Sequence, residues 1–159
     1  PAVPAWTLGG EAVFPVPFPE NESSELPMRG TKEAPLETVH IIRGLLAQHP
    51  ELAQAARIPV EEITCPVLLV SGGRDGLWPS GDFCHEMMPF LQRGEHLHFP
   101  DAGHAIGVPN LPTAQCFYMR RADLWLSMGG SAARSQGASV FSWEAMNVFF
   151  SMFLERSTF

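Results

Sequence analysis

The chain has 159 residues, of which 45% are hydrophobic and 17% are charged, and its formal net charge is -7. This balance is typical of a globular domain with an apolar core and excludes an intrinsically disordered chain. The negative charge and the lack of a Lys/Arg stripe argue against nucleic-acid binding, and no apolar run is long enough to span a bilayer.

The N-terminal third predicts an irregular segment followed by two helices. Residues 1–34 are rich in Pro and Gly, which predicts irregular surface chain with one short strand near Ala12–Phe14. Apolar residues at helical spacing from Leu36 to Leu46 predict a helix of about a dozen residues that Pro50 stops. A second short helix is predicted over Glu51–Arg57.

The middle of the chain predicts a strand, a helix and a second strand. Pro66–Val70 is a wholly apolar run, as expected for a central parallel strand with helices over both faces. Ser80 begins a helix whose apolar face continues to Gly94, and Pro89 should kink or shorten it. Glu95–Phe99 is the next predicted strand. This βαβ unit indicates a parallel sheet and an α/β fold.

The C-terminal third has weaker patterning until its last helix. Cys116–Met128 is a candidate for one further element, although no clean period runs through it. Phe141–Arg156 predicts a terminal helix that is apolar nearly all round, which indicates burial on more than one side.

Two Gly-rich turns each present a side chain of catalytic type. Asp75 follows the first predicted strand of the βαβ unit, and His104 follows the second. Ligands of open parallel sheets bind beyond the carboxyl ends of the strands, so both side chains are expected at one edge. There the carboxylate would accept a hydrogen bond from Nδ1 of the imidazole, leaving Nε2 free to take a proton from a Ser or Cys nucleophile.

The chain order of these two residues, acid and then histidine, matches the last two members of an α/β-hydrolase triad. No Gly-x-Ser-x-Gly or Gly-x-Cys-x-Gly turn precedes Asp75. The segment Ala133–Gly137 imitates such a turn, but no predicted strand leads into it and it follows His104 in the wrong order. We therefore interpret that segment as a coincidental match.

Each candidate residue also has an ordinary structural interpretation. An Asp in a Gly-rich turn is most often turn chemistry, and a single His after a strand is most often a loop or core residue. His96 and His98 alternate on one face of a predicted strand and form a minor candidate for a metal-binding pair.

A set of motifs resembles the C-terminal region of the acyl-CoA thioesterase / bile acid-CoA:amino acid N-acyltransferase family. The resemblance covers residues 58–156, with a weaker similarity over residues 5–20. It is carried by the following segments: Ile58–Ile63, Pro66–Gly72, Asp75–Ser80, Ala102–His104, Gly107–Pro109, Leu111–Thr113, Gly129–Ser131 and Ser142–Trp143.

The resemblance implies an α/β-hydrolase fold of parallel strands with flanking helices, in which residues 1–159 form the C-terminal half of the domain. It also implies that Asp75 is the catalytic acid and His104 the catalytic base. The half that bears the nucleophile, a Ser or Cys, is expected upstream of Pro1.

Hydrolysis of acyl-CoA thioesters is the function that the resemblance implies, with no activity expected from these 159 residues alone. Two alternatives stay open: transfer of the acyl group to an amino acid, and a catalytically inactive truncated form that acts only by binding. The expected partners are the acyl-CoA substrate and the upstream part of the hydrolase domain, without nucleic acid, metal or cofactor.

The number and spacing of the cysteines indicate the kind of cellular compartment in which the protein is expected. The three cysteines lack metal-ligand spacing, which favours buried free thiols in a reducing compartment. An intracellular, cytoplasmic location is expected, with the peroxisome and the mitochondrion as alternatives.

Overall fold

The structure, a computed structural model, describes residues 7–8, 11–12, 30–107, 109 and 115–154. This part of the chain mixes helices with three two-stranded sheets, of which one is parallel and two are antiparallel. In chain order the elements are β1 (Thr7–Leu8), β2 (Glu11–Ala12), α1 (Val39–Gln48), α2 (Pro50–Ala55), β3 (Val67–Gly72), α3 (Ser80–Met87), β4 (Gly94–Phe99), β5 (Cys116–Met119), β6 (Leu124–Ser127) and α4 (Ala132–Leu154).

The predicted βαβ unit is confirmed. Strands β3 and β4 pair in parallel, with Val67 opposite Gly94 and Gly72 opposite Phe99, and α3 connects them. Strand β3 continues two residues beyond the predicted end. Helix α3 ends at Met87, and a 3-10 turn that contains Pro89 follows it. This agrees with the prediction that Pro89 shortens the helix.

Helices α3 and α4 lie on opposite faces of the parallel pair. The rings of His96 and His98 on β4 lie 5.0 and 5.2 Å from the ring of His85 on α3. Phe99, which points to the other face, lies 6.0 Å from Phe141 on α4. Because successive side chains of a strand alternate between faces, these contacts place one helix on each side.

The apolar run of β3 is less covered than its sequence predicts. Val67, Leu68, Leu69 and Val70 are half-buried rather than buried. In the described part of the chain, β3 pairs with β4 alone, so its second edge has no strand beside it. In the described residues β3 therefore has a helix on each face, as predicted, but it is an edge strand rather than a central one.

The helix predicted from Leu36 begins three residues later, at Val39. Leu36 instead forms an isolated parallel bridge with Leu126 of β6, and its backbone exchanges hydrogen bonds with Trp125 and Ser127. This position places Leu36 against a small buried core. The members of that core are Leu77, Leu124 and Leu126, with Leu36, Phe117 and Met128 packed against them.

Pro50 both ends the first helical segment and begins the second. Helix α1 ends at Gln48, and α2 starts at Pro50 itself, where a missing backbone N–H removes no helical hydrogen bond. Helix α2 extends to Ala55, two residues short of the predicted end at Arg57. The predicted strand near Ala12–Phe14 overlaps β2 at Ala12, and its remainder lies outside the described residues.

The candidate element at Cys116–Met128 is an antiparallel hairpin. Cys116 pairs with Ser127 and Met119 with Leu124. Asp123, in the turn between the strands, has a φ of 51°, a conformation that Asp tolerates better than most residues. The chain therefore turns without the Asn-Gly or Asp-Gly pair that marks many hairpins.

Helix α4 begins nine residues before the predicted start, at Ala132 instead of Phe141. Its buried residues are mostly small and form one stripe: Ser135, Ala138, Ser139, Ser142 and Phe149. Its exposed apolar residues include Phe141, Trp143, Val148, Phe150 and Met152. The prediction that this helix is buried on more than one side is thus wrong within residues 132–153, and its predicted end at Arg156 lies outside the described residues.

The described cysteines are free, but only Cys84 is buried. Burial raises the pKa of its thiol, more than a hydrogen bond from Ser71 lowers it. Cys65 is exposed and Cys116 half-buried, so the expectation of three buried thiols is wrong for these two. None of the helices that the structure describes is long and apolar enough to cross a membrane.

Candidate active site

Asp75 lies three residues beyond the end of β3, in a turn that holds its carboxylate in place. The backbone amides of Leu77 and Trp78 donate to Oδ1 at 2.8 and 3.0 Å. The side chain is 4% exposed. The turn chemistry expected for an Asp in this position is present, and it uses only one of the two carboxylate oxygens.

The second oxygen faces His104. Nδ1 of the imidazole lies 3.0 Å from Oδ2 of Asp75. An ionised carboxylate only accepts hydrogen bonds, so Nδ1 carries the hydrogen and donates it. In this tautomer Nε2 has the lone pair, on the far side of the ring from the carboxylate, and the side chain is 36% exposed.

The surroundings of Asp75 favour its ionised form. Burial acts to raise the pKa of the carboxyl group, but hydrogen bonds from His104, from the amides of Trp78 and Leu77 and from the Ser80 hydroxyl together hold the pKa below its ordinary value. The Ser80 hydroxyl also lies 3.4 Å from the Gly72 carbonyl oxygen and donates to one acceptor at a time. A carboxylate that stays charged orients the imidazole and stabilises its protonated form.

Backbone hydrogen bonds join the loop of Asp75 to the loop of His104. The amide of Arg74 donates to the Ala102 carbonyl at 3.0 Å, and that of Gly73 donates to the Phe99 carbonyl at 2.9 Å. The Met128 carbonyl, at the end of the hairpin, accepts from the amides of both Gly76 (3.2 Å) and His104 (2.8 Å). The two loops are therefore fixed to each other and to a third segment.

The glycines around these loops permit close approach of backbones. A Cβ on Gly72 would overlap the Gly103 carbonyl oxygen, and a Cβ on Gly103 would overlap that of Gly129. Gly129 and Gly130, with φ of 67° and 62°, combine such a close approach with left-handed backbone. The Gly129-Gly130 pair lies in one of the segments that carry the resemblance, but its contact with the loops of Asp75 and His104 was not predicted. Two adjacent glycines one residue after a strand are the signal that points to such an approach.

His96 and His98, the minor candidate for a metal-binding pair, both contact a buried hydroxyl. Their Nε2 and Nδ1 atoms lie 2.8 and 3.0 Å from the Ser71 hydroxyl, which is 1% exposed. Among the residues that the structure describes, no three His, Cys, Asp or Glu side chains are arranged to hold a metal ion. The two imidazoles instead satisfy a buried hydroxyl under α3.

A cavity of about 550 Å³ lies beside the acid rather than beside the imidazole. Its described lining includes Asp75 and the cationic residues Lys32, Arg43 and Arg74, but not His104. Arg43 and Arg74 each already face a carboxylate. Because chemistry at the imidazole needs access to Nε2, this cavity does not by itself define a place for the reacting group.

The segment Ala133–Gly137 lies inside α4, so it is not a nucleophile turn.

The family model described as "BAAT / Acyl-CoA thioester hydrolase C terminal" matches residues 13–156, which include Asp75, His104 and the Gly129-Gly130 pair. The chain belongs to this family.

Membership in the acyl-CoA thioester hydrolase C-terminal family confirms the resemblance drawn from residues 58–156. The match also takes in residues 13–57, of which the motifs had given a weak similarity over residues 13–20 alone. It points to acyl-CoA thioesterases and acyltransferases as a general class. No curated protein sequence matches the chain.

Proposed function

We propose that the chain is the C-terminal half of an α/β-hydrolase domain and acts in the hydrolysis of acyl-CoA thioesters. Asp75 and His104 supply the acid and the base of a Ser/Cys-His-Asp triad, and residues upstream of Pro1 supply the nucleophile. The observation that carries the proposal is the 3.0 Å contact between Nδ1 of His104 and Oδ2 of Asp75, at the carboxyl ends of two parallel strands.

Three further observations support this assignment. The acid precedes the histidine along the chain, as in α/β-hydrolases. The pKa of Asp75 is held below its ordinary value, which suits a residue that stays ionised throughout the reaction. The family match spans both residues.

The chemistry follows from the tautomer that Asp75 imposes. Nε2 of His104 takes the proton of the nucleophile as that nucleophile attacks the thioester carbonyl. The C–S bond then breaks, and the imidazolium returns the proton to the departing sulfur, so that CoA leaves as its thiol. His104 next takes a proton from a water molecule as that water attacks the carbonyl of the acyl-enzyme. The bond between the acyl group and the nucleophile then breaks, the imidazolium returns the proton to the departing atom of the nucleophile, and the carboxylic acid is released.

Substitution of Asp75 tests the proposal in the longer protein that carries the nucleophile. Asp75→Asn should lower kcat for acyl-CoA hydrolysis on the order of 10⁴-fold, because the amide favours the wrong imidazole tautomer, as in serine proteases. The free thiol of released CoA is the readout. Asp101→Asn is the matched control: this exposed carboxylate near His104 pairs with Arg74 at 3.5 Å and should leave kcat unchanged.

The same experiment separates the alternatives. Hydrolysis at a near-normal rate by Asp75→Asn would contradict the triad. CoA release that depends on an added amino acid, with an amide as product, would indicate the acyltransferase. A longer protein that binds acyl-CoA but releases no CoA under either condition would indicate the non-catalytic form.

A further inference from the structure

Ser135 is a buried serine whose hydroxyl reaches outside its own helix. It lies in the first turn of α4 and is 1% exposed. Its Oγ accepts a hydrogen bond from the backbone amide of Gly103 at 3.0 Å. Gly103 is the residue directly before His104, so the bond ties α4 to the loop that presents the imidazole.

The other α4 serines with a described hydroxyl bond behave differently. Ser142 donates to the Ser139 carbonyl at 3.2 Å, and Ser151 donates to the Val148 carbonyl at 2.9 Å. Serines within helices commonly bond back to the preceding turn in this way. Ser135 instead uses its oxygen as an acceptor for a residue 32 positions away in the chain.

The Gly103 amide has nowhere else to donate among the described residues. It is buried, and the Ser135 oxygen is its one described acceptor. The next amide along, that of His104, donates to the Met128 carbonyl at 2.8 Å. Two consecutive amides are therefore held from two directions, one by α4 and one by the end of the hairpin.

We propose that Ser135 is a positioning residue that fixes the backbone of His104 and thereby holds its imidazole on Asp75. This inference rests on the proposed function for its effect on turnover. A buried amide that loses its acceptor shifts to find another partner, and the following residue moves with it. Ser135 does not touch the reacting atoms and acts only through His104.

Substitution of Ser135 in the longer protein tests this role. Ser135→Ala removes the acceptor, and kcat should fall between about 10-fold and 100-fold with KM unchanged, since displacement of a catalytic group by up to about 1 Å has effects of this size. Ser135→Cys keeps the size of the side chain but accepts poorly, so it should behave like Ser135→Ala and replaces it if the alanine variant does not fold. Ser135→Thr keeps the hydroxyl and should restore most of kcat.

Ser142→Ala is the matched control, because this serine is 0% exposed on the same helix and bonds only its own turn. It should leave kcat unchanged. A kcat for Ser135→Ala and Ser135→Cys equal to that of Ser142→Ala would overturn the inference, whatever the effects on stability.

The tautomer of His104, read from its ¹⁵N resonances, is a second measurement that needs no activity. The wild type should show hydrogen on Nδ1 alone, and Ser135→Ala should show a mixture of the two tautomers. If the wild type is inactive on acyl-CoA, the proposed function fails, but the tautomer measurement still tests the positioning role of Ser135. The same single tautomer in the wild type and in Ser135→Ala would overturn that role.

Discussion

At the scale of single residues, the carboxylate of Asp75 both stabilises its own turn and holds the imidazole of His104. Oδ1 of Asp75 closes its own turn through the amides of Leu77 and Trp78, and Oδ2 holds His104. The ordinary interpretation of an Asp in a Gly-rich turn and the catalytic interpretation therefore describe the same side chain. Because one oxygen completes the turn, the other is presented to the imidazole in a fixed direction.

The sequence predicted where Asp75 and His104 lie but not what holds them together. Their positions after consecutive strands follow from apolar runs that end at Gly-rich turns. The contributions of Met128 and Ser135 come from segments more than 20 residues further along the chain. A backbone carbonyl carries no residue signature, and a serine within a helix is usually a local hydrogen-bond donor.

Gly129 is a position where a methyl group should destabilise the protein. Gly129→Ala should lower the free energy of unfolding by about 2–4 kcal/mol, because its φ of 67° disfavours a side chain and the added Cβ would overlap the Arg74 carbonyl oxygen. Urea unfolding measures the change.

Gly137→Ala is the control for that substitution. Gly137 lies on α4 with no atom within 4 Å of an added Cβ, so this change should raise the free energy of unfolding by about 0.5–1 kcal/mol. Equal effects of the two substitutions would contradict the close approach of Gly129 to the Asp75 loop.

At the scale of elements, prediction worked where large apolar residues set a period. The β3–α3–β4 unit has long side chains on its strands and a proline that marks the end of its helix, and its parallel pairing is confirmed. The start of α4 was missed because its first buried residues are Ser135, Ala138 and Ser139, which give almost no hydrophobic period. The hairpin was predicted only as one element of unspecified type over Cys116–Met128, because its turn lacks glycine and asparagine.

The contact between α3 and β4 makes stability depend on pH. Burial, and then the neighbouring His85 and His98, hold the pKa of His96 below its ordinary value. Between that lowered pKa and about 6.5, the unfolded chain binds a proton that the native protein does not. The His96 contribution to stability is complete above about pH 6.5 and is lost as the pH falls through this window.

Unfolding in urea at about pH 7.5 and pH 5.5 tests this dependence. The wild type should lose more stability between the two than His96→Gln, which has no imidazole to protonate at that position. His40→Gln changes an exposed histidine on α1 and should retain the wild-type difference. An unchanged pH dependence in His96→Gln would contradict the assignment to His96.

At the scale of the whole molecule, the described chain leaves much apolar surface uncovered. Phe141, Val148 and Phe150 on α4 are 54–57% exposed. Strand β3 has a second edge with no partner in the described residues. Large exposed apolar areas and free strand edges mark surfaces that associate with other protein. This exposure is consistent with the proposal that the chain is half of a larger domain.

The 159 residues expressed alone should therefore self-associate and enhance the fluorescence of a hydrophobic dye. The α4 surface is the expected site, so Val148→Glu combined with Phe150→Lys should reduce the dye signal without loss of helical circular dichroism. The corresponding changes at exposed polar positions, Glu144→Lys and Asn147→Glu, are the control and should leave the signal unchanged. A soluble monomer with a sharp reversible melt and no dye binding would contradict the half-domain proposal.

The carbonyl oxygen of Met128 accepts hydrogen bonds from the amides of Gly76 and His104 and so joins the loops of Asp75 and His104. The described bonds that set the spacing of Asp75 and His104 all lie between residues 72 and 135. The two side chains are therefore held as one rigid unit. Under the proposed function, a nucleophile supplied from outside this unit has one nitrogen atom, Nε2 of His104, with which to align.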